Sequence, residues 1–440
     1  MSSASRAVAA PESGRVSGLT QEGEGVVHGG KTAFVRGALP GEWVHFRRRR
    51  RRRQHDEGEL LEVLEASPAR ITPRCAHFGV CGGCALQHLD PAAQLLAKEA
   101  ALRDSLQRVG GVAPARWLTP ITSAPFGYRR RARLGARYVH KKGCVVVGFR
   151  ERAAPYVAQL SRCEVLAPPV DALLAPLAEL IGALSIREHV PQIEVAAGDN
   201  AIALTLRVLR PPSGEDRERL QGFAAAHGVQ VLLQAGGPGT LEPLAPHAEP
   251  LRYALPQFDL TFEFLPTDFV QVNAAVNAAL VTRALELLAP GPEARVLDLF
   301  CGMGNFTLPL ARRAGWVRGI EGDAGLIARA GENARRNGLH NVEFVTADLA
   351  APEWPWARDR FSHVLLDPPR SGARELLPAL AAVGAGRVLY VSCHPGSLAR
   401  DVGLLVHEHG MRLEAAGVVD MFPHTAHIES LALLTRAEAP

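Results

Sequence analysis

The feature that most constrains the fold is a regular alternation of short apolar strands and helical segments after residue 270. The predicted strands are Arg295–Leu299, Val317–Glu321, Val342–Val345, His363–Asp367 and Arg387–Ser392. Repeated strand–helix units fold into a mostly parallel, doubly wound sheet, the Rossmann-like α/β class, and such sheets bind ligands at the carboxyl ends of their strands. The sequence therefore predicts a ligand site where these strands end.

A glycine-containing loop follows the first predicted strand. Two glycines in Phe300-Cys-Gly-Met-Gly-Asn-Phe306 would let the backbone approach a nucleotide closely. The loop is not that of a dinucleotide dehydrogenase, because threonine stands at position 307, where the third glycine would be. Glu321, 19 residues after Gly302, ends the next strand and can bind ribose hydroxyls. Asp348 follows the third strand, where it can reach an adenine amino group.

A cysteine ends the fifth predicted strand. Cys393 lies in Tyr390-Val-Ser-Cys-His-Pro-Gly-Ser-Leu-Ala-Arg-Asp401, downstream of the glycine loop and of Leu366-Asp-Pro-Pro-Arg-Ser-Gly372. Taken alone, a cysteine that ends an apolar strand is usually a buried packing residue. Its position after a nucleotide loop, at the ligand edge of a sheet, instead favours a thiol nucleophile beside a cofactor pocket.

The N-terminal region differs in pattern and in charge. Residues 14–65 contain short strands broken by glycine, which predict a small barrel. Residues 1–74 hold 13 Lys/Arg and 9 Asp/Glu, so the whole net charge of +4 lies in this segment. Arg47 to Arg53 are seven consecutive arginines. Repulsion between like charges predicts a solvated, partly mobile loop there, which can still contact nucleic-acid phosphates.

Seven cysteines, an odd number in a long chain, argue against a disulfide framework and for metal-binding or catalytic thiols. Three cysteines have the spacing Cys-x5-Cys-x2-Cys, and a fourth lies farther along the chain. Four thiolates are enough to bind a [4Fe-4S] cluster or a structural zinc, and the spacing does not distinguish the two. These four are Cys75, Cys81, Cys84 and Cys163. We expect Cys144, on a predicted strand, and Cys301, in the glycine loop, to be packing thiols.

The middle of the chain is predicted to begin with a helix over Pro91–Val109 and to continue as a β-rich region over 110–260. Within it, the segment Tyr128–Lys142 places seven Lys and Arg residues between and after two tyrosines. Arginines contact phosphates and aromatic rings stack on splayed bases, so the segment favours RNA binding, with a plain exposed basic strand as the alternative.

Length and composition set outer bounds. A chain of 440 residues exceeds the usual single-core limit, so two or three domains are expected, and 47% apolar residues suffice to fill their cores. Neither a signal-peptide core nor an apolar run of about 18 residues occurs. We therefore expect a soluble, cytoplasmic protein that does not act at a membrane.

From Thr267 to Leu434 the chain resembles the uridine-5 methyltransferases that use S-adenosylmethionine. The resemblance continues upstream through the cysteines and the basic N-terminus, and it is strongest to the bacterial enzymes that act on 23S ribosomal RNA. It implies an OB-like TRAM barrel that binds RNA over 1–70, an iron–sulfur central domain over 71–260 and a methyltransferase domain over 261–440. The helix near 91–109 is expected to pack on the catalytic domain. It further implies a monomer with ribosomal RNA as its partner.

The resemblance also assigns residues to the chemistry. It implies that Cys393 adds to C6 of uracil, which turns C5 into a nucleophilic enolate carbon, and that Glu429 later removes the C5 proton. The target base must leave its stack to react. Around the first three cysteines, Pro73–His88 is similar to the family's iron–sulfur sequence, which favours a [4Fe-4S] cluster over zinc. The residues implied at the cofactor are Gln271, Phe300, Gly302, Asn305, Glu321, Asp348 and Asp367.

Three alternatives stay open. The same chemistry on transfer RNA is disfavoured because transfer-RNA enzymes of this superfamily generally lack the barrel and the four cysteines. An inactive RNA-binding protein is disfavoured by Cys393, Glu429 and the unbroken cofactor loop. An iron–sulfur electron carrier would need a second redox centre, and the sequence shows none. Asp367-Pro-Pro-Arg370 departs from the Asp-Pro-Ala-Arg form typical of the ribosomal enzymes, so the subtype is less constrained than the chemistry.

Overall fold

The computed structural model describes residues 10–152, 154–245, 249–351 and 354–436. The chain divides into two compact units. The first contains the residues up to Ala101 together with Glu151–Pro155 and Phe422–His427. The second contains Leu102–Arg150, Tyr156–Met421 and the residues from Ile428 onward.

The first unit contains a closed barrel. Its five strands are β1 (Glu12–Leu19), β2 (Glu24–Val27), β3 (Ala33–Arg36), β4 (Trp43–Arg51) and β5 (Asp56–Glu65). They follow the order β1-β2-β3-β5-β4, and antiparallel pairing of β4 with β1 closes the barrel. Alternate residues of each strand point inward, and the core includes Val16, Val35 and Phe46. The predicted small barrel is confirmed.

The prediction that Arg47 to Arg53 form a loop is wrong over most of the run, because Arg47 to Arg51 belong to β4. The opposite strand, β5, is acidic, so the arginines face carboxylates instead of one another. Arg48 forms ion pairs with Asp56 (3.0 Å) and Glu12 (2.9 Å), and Arg49 forms one with Glu59 (2.5 Å). Cross-strand pairs of opposite charge stabilise a sheet, which overrides the repulsion along the run.

Beyond the barrel, residues 66–90 form turns and isolated bridges up to α1 (Pro91–Arg108), which confirms the predicted helix. The β-rich middle region is also confirmed. Its elements are β6 (Arg116–Trp117), β7 (Arg131–Val139), β8 (Cys144–Gly148), α2 (Leu174–Ala183), β9 (Gln192–Ala197), β10 (Ile202–Arg207), α3 (Gly214–His227), β11 (Gln230–Gln234) and β12 (Leu241–Pro243). All of these strands except β6 form one six-stranded sheet in the order β12-β11-β10-β9-β7-β8.

A hairpin and an α/β region follow. The hairpin strands are β13 (Leu251–Leu255) and β14 (Leu260–Phe264). The α/β elements are α4 (Ala274–Leu288), β15 (Arg295–Leu299), α5 (Thr307–Ala311), β16 (Trp316–Glu321), α6 (Ala324–Arg336), β17 (Val342–Thr346), β18 (His363–Leu366), α7 (Leu377–Ala382), β19 (Arg387–Ser392), α8 (Pro395–His407), β20 (Met411–Val419) and β21 (Glu429–Arg436).

The predicted doubly wound sheet is confirmed and has eight strands in the order β17-β16-β15-β18-β19-β21-β20-β6. Strands β15 to β19 are mutually parallel, and β21 is antiparallel to both β19 and β20. The chain order reverses between β15 and β18. In open α/β sheets such a switch point opens a crevice at the carboxyl ends of the strands. Among the described residues, no helix is long and apolar enough to cross a bilayer.

Candidate active site

The glycine loop lies at the switch point, immediately after β15. Phe300 and Gly302 both adopt left-handed backbone conformations, with φ of 61° and 55°. A Cβ built at Gly302 would meet no heavy atom within 4 Å, so the loop leaves open space there for a ligand to approach the backbone. The Gly302 amide donates to Oε2 of Glu321 (3.2 Å). The structure thus joins two of the predicted cofactor residues through a hydrogen bond across β15 and β16.

Asn305 is held by a network that sequence reasoning did not find. Its side-chain amide exchanges two hydrogen bonds with the amide of Asn277 on α4 (2.9 and 3.0 Å). Oδ1 of Asn305 also accepts from the Tyr253 hydroxyl on β13 (3.1 Å). The Tyr253 ring stacks on Phe262 of β14, with 4.6 Å between ring centroids. The hairpin and α4 therefore fix the orientation of Asn305.

A second unpredicted feature is a buried carboxyl group beneath the loop. Asp298 on β15 is fully buried, and its Oδ2 accepts a hydrogen bond from the Thr307 hydroxyl (2.5 Å). Thr307 occupies the position where a dinucleotide enzyme would have its third glycine. Burial, together with the charges of Asp367 and Glu321, raises the pKa of Asp298 to about 7. Its Oδ1 is buried and has no hydrogen-bond partner among the described residues.

The remaining predicted cofactor residues lie at the ends of elements around the same sheet edge. Asp367 directly follows β18, and burial raises its pKa to about 6. Asp348 follows β17 by two residues, is exposed, and accepts a hydrogen bond from the Ala350 amide (2.8 Å). Gln271 is half-buried in the segment between β14 and α4. Except for Gln271, each side chain comes from the carboxyl end of a parallel strand or the loop after it.

Cys393 lies between β19 and α8 and is half-buried. The next residue, His394, is the N-cap of α8, and its Nδ1 accepts from the Ser397 amide (3.1 Å). This hydrogen bond gives His394 a structural role as the cap of the helix. The thiol therefore stands at the start of a 13-residue helix, at the ligand edge of the sheet.

Glu429 is the first residue of β21 and is buried, with 8% of its surface exposed. Strand β21 runs antiparallel to β19, and Ser430 pairs with Ser392. Glu429 and Cys393 are each one residue beyond this pair, so both lie at the same end of the two strands. The structure thus brings the predicted nucleophile and the predicted base together, although they lie 36 positions apart in the sequence.

The pKa of the Cys393 thiol is raised, first by burial and then by the negative charges of Glu429 and Asp367. The positive charge of Arg370, in the loop after β18, acts in the opposite direction and lowers it. These interactions show that Cys393, Glu429, Asp367 and Arg370 share one electrostatic environment. Within this environment, the charge of Arg370 and a backbone hydrogen bond at Cys393 favour the thiolate.

The four cysteines predicted to bind a cluster are divided between the two units. Cys75, Cys81 and Cys84 lie in the turn-rich segment of the first unit, where the Gly83 amide points at the Cys81 sulfur (3.4 Å). Cys163 belongs to the second unit and is buried. Across the parts of the chain that the structure describes, no group of three or more His, Cys, Asp or Glu side chains is arranged to hold a metal ion. Cys301 is buried, as expected of a packing thiol, and Cys144 begins β8.

Several cations of the basic segment around β7 are engaged within their own unit. Arg130 forms an ion pair with Asp199 and Arg133 one with Glu194 (3.0 Å). Arg131 donates to the carbonyl of Asp268. By contrast, Arg137 is exposed on the outward face of the same strand. Fewer cations of this segment are thus available to phosphates than the sequence count of seven indicates.

Comparison with known proteins is consistent with this geometry. The family profile described as tRNA (Uracil-5-)-methyltransferase matches residues 252–437. A 23S rRNA (uracil(1939)-C(5))-methyltransferase RlmD from Alkalilimnicola ehrlichii is 53% identical over 425 residues, covering 96% of this chain and 96% of that protein. The protein of the same name from Nitrosococcus oceani is 52% identical over 429 residues, again covering 96% of each.

A solved structure shares the fold. The Pyrococcus abyssi tRNA (uracil-54, C5)-methyltransferase, crystallised with S-adenosyl-L-homocysteine, superposes with a TM-score of 0.76 and covers 96% of this chain and 100% of that chain. Its sequence is 24% identical, so the likeness concerns the architecture.

Proposed function

Because this chain belongs to the family of RNA uracil-5 methyltransferases, we propose that it transfers the methyl group of S-adenosylmethionine to C5 of a uridine in 23S ribosomal RNA. The observation that carries the proposal is the meeting of Cys393 and Glu429 at the end of β19 and β21, on the same sheet edge as the glycine loop. The relatives' shared name supports uridine 1939, in the numbering that it uses, as the target.

The residues fit the cofactor on structural grounds. The space at Gly302, where a Cβ would meet nothing, suits a ligand lying against the backbone. We propose that Glu321 binds the ribose hydroxyls, that Asp348 binds the adenine, and that Gln271, Phe300, Asn305 and Asp367 line the pocket. S-adenosylmethionine supplies a methyl group on a sulfonium, which is an electrophile.

In the proposed mechanism, the thiolate of Cys393 forms a bond to C6 of the flipped uracil, and the ring electrons move to C5 and O4. C5 then takes the methyl group, and S-adenosylhomocysteine leaves. Glu429 next removes the proton from C5, the C5–C6 double bond re-forms, and the C6–S bond breaks to release the thiolate. Cys393 thus acts as the nucleophile before the methyl transfer and as the leaving group after it, and Glu429 acts as the base after it.

We also propose that Cys75, Cys81, Cys84 and Cys163 ligate a [4Fe-4S] cluster. The support is the sequence pattern, together with the Gly83 amide that points at Cys81, since hydrogen bonds to sulfur are typical of such ligands. No step of the methyl transfer uses the cluster. Protein purified without oxygen should be brown and contain about four iron and four sulfide per chain. Stoichiometric zinc without iron would overturn this assignment.

The barrel over residues 1–70 is proposed to bind RNA, residues 71–260 to form the central domain and residues 261–440 the methyltransferase domain. The test of the whole function is the mapping of 5-methyluridine in ribosomal and transfer RNA from a strain that lacks the gene. We expect loss of the modification at one position of 23S RNA, restored by the wild-type gene but not by Cys393→Ala. Loss from transfer RNA with intact 23S RNA would favour the transfer-RNA alternative.

A further inference from the structure

The loop after β18 carries two of the charged groups that act on Cys393. Asp367 begins the loop and Arg370 follows three residues later. Because β18 and β19 are neighbouring parallel strands, with Leu366 paired to Tyr390, the loop leaves the sheet beside the end of β19. The position of Arg370 relative to the thiol therefore depends on how the rest of this loop is held.

A buried carboxylate on α8 holds it. Asp401 is fully buried, and its Oδ2 accepts hydrogen bonds from the Ala373 amide (2.7 Å) and from the Tyr390 hydroxyl (2.7 Å). Its Oδ1 accepts from Nε of Arg400 (2.8 Å). The same guanidinium donates to the Ser371 carbonyl (2.8 Å). Ser371 and Ala373, on either side of Gly372, are thus tied to one ion pair in the middle of α8.

Gly372 allows this close approach. Its φ is 83°, and a Cβ built there would lie 2.4 Å from Oδ2 of Asp401 and 2.6 Å from Nη2 of Arg400. Only glycine permits both the backbone conformation and the contact. The loop is therefore anchored at Arg400 and Asp401, on the helix that follows Cys393 and its neighbour His394.

We propose that Asp401 is a positioning residue for the reaction: with Tyr390 it clamps the backbone of Ser371–Ala373 and so keeps Arg370 where its charge acts on Cys393. The inference rests on the proposed role of Cys393 as the nucleophile. Asp401 acts through Arg370 and does not touch the reacting atoms.

The charged groups that face the thiol come from three elements. Glu429 on β21 and Asp367 after β18 disfavour the thiolate, whereas the charge of Arg370 and a backbone hydrogen bond at Cys393 favour it. His394, at the start of α8, is engaged in capping that helix. If the clamp is lost, the Arg370 guanidinium samples positions farther from the sulfur, while the two carboxylates stay on their strands. The thiolate then forms at higher pH.

The experiment is alkylation of the full-length protein with iodoacetamide between pH 6 and 10, with mass spectrometry of the peptide that contains Cys393. Asp401→Asn should move the alkylation midpoint upward, by about half a pH unit or more, in the same direction as Arg370→Gln. Tyr390→Phe, which removes only a hydroxyl, should move it less. The double variant Asp401→Asn/Arg370→Gln should match Arg370→Gln alone, since both act through one cation.

Asp216→Asn provides the matched control. Asp216 is equally buried and accepts hydrogen bonds from the Ser185 amide (2.8 Å) and hydroxyl (2.5 Å), but it lies on α3. The Asp216→Asn variant should lower thermal stability and leave the alkylation midpoint of Cys393 unchanged. If Asp401→Asn behaves like this control, or if neither it nor Tyr390→Phe moves the midpoint, the positioning role is refuted. Alkylation needs neither RNA nor cofactor, so its result does not depend on whether the protein transfers a methyl group. The proposed methyl transfer is tested separately, with Cys393→Ala.

Discussion

Carboxylates in two regions of the molecule are perturbed in opposite directions. At the carboxyl edge of the eight-stranded sheet, burial raises the pKa of Asp298 to about 7 and that of Asp367 to about 6. In the barrel, a hydrogen bond from Lys31 lowers the pKa of Asp56, and one from Arg52 lowers that of Glu57. Asp56 and Asp298 are both buried, so burial alone does not explain the contrast.

The difference lies in the partners. Asp56 faces Lys31 (2.8 Å) and Arg48 (3.0 Å), whereas Asp298 has a hydroxyl partner and two nearby carboxylates. Cation partners offset the desolvation cost of a buried carboxylate, while a carboxylate without them costs stability and is retained where a site needs it. We read the barrel as a region that uses charge for structure and surface binding, and the sheet edge as one that uses charge for chemistry.

The largest effect that would separate the two regions is on turnover. Cys393→Ala removes the nucleophile, so methyl transfer should fall by about 10⁴-fold or more in a single-turnover assay with S-adenosylmethionine. RNA binding should be preserved, because the thiol contributes to a reaction step and not to the binding surface. Residual transfer within tenfold of wild type would show that the chemistry lies elsewhere.

Stability at different pH tests the contrast in pKa. The folded pKa of Asp298 lies above its unfolded value, so its contribution to stability is complete below about pH 4 and is lost as the pH rises through 7. Asp298→Asn should therefore gain stability over wild type between pH 5 and pH 7.5, by up to about 4 kcal/mol in urea denaturation.

Asp56→Asn serves as the opposite case. In the wild-type protein the pKa of Asp56 is lower in the folded state than in the unfolded state. The carboxylate therefore stabilises the protein above its unfolded pKa, and this contribution is lost as the pH falls through the folded pKa. The variant should be less stable than wild type at pH 7.5, and the gap should close at low pH. If both aspartate variants shift in the same direction at pH 7.5, the contrast between the regions is wrong.

The salt dependence of RNA affinity tests whether the arginines of the barrel contact RNA phosphates. Among the arginines of the run, Arg47, Arg50, Arg51 and Arg53 make no ion pair with the described residues. Replacing these four with Gln should reduce the slope of log affinity against log salt by about 0.7 for each phosphate contact that is lost on single-stranded RNA. Arg49→Gln/Arg52→Gln, which removes two cations already paired with Glu59 and Glu57, should change the slope less. An unchanged slope in the fourfold variant would show that these four arginines do not contact RNA phosphates.

The smallest effect concerns the cofactor loop. Tyr253→Phe removes the hydroxyl that donates to Asn305 and keeps the ring that stacks on Phe262. One hydrogen bond contributes about 1 kcal/mol, so S-adenosylhomocysteine should bind about fivefold more weakly in calorimetry, with thermal stability nearly unchanged. Wild-type affinity would mean that Asn305 does not depend on the hairpin.

The sequence predicted those parts of the molecule that depend on local pattern. Strand β15 and strand β19 have the predicted bounds, since apolar runs between turn residues identify buried parallel strands. The edge position of Cys393 followed from the same reasoning. The strand at Arg47–Arg51 was not predicted, because its stability comes from Asp56, Glu57 and Glu59 on the facing strand. These acidic residues are present in the sequence a few positions later, and they could have indicated a strand pair.

Other parts of the site had no local signal. Asn277 and Tyr253 act on Asn305 from 28 and 52 residues away, and an asparagine on a helix or a tyrosine on a strand is an ordinary residue there. Asp401 stands beside Arg400 in a helix, a pattern typical of a surface ion pair, and only its burial against the loop after β18 reveals its role. Such contacts arise when the fold brings distant segments together.

The measurement that tests the central claim most directly is made on Glu429→Gln. Its thiol can still attack and C5 can still accept the methyl group, but removal of the C5 proton is slowed, so a methylated RNA joined to the protein should accumulate. We expect a band that survives denaturing electrophoresis, and mass spectrometry should place the methylated uridine on the Cys393 peptide. Normal turnover by this variant, or no adduct from a folded protein that binds both RNA and cofactor, would contradict the assignment of Glu429 as the base.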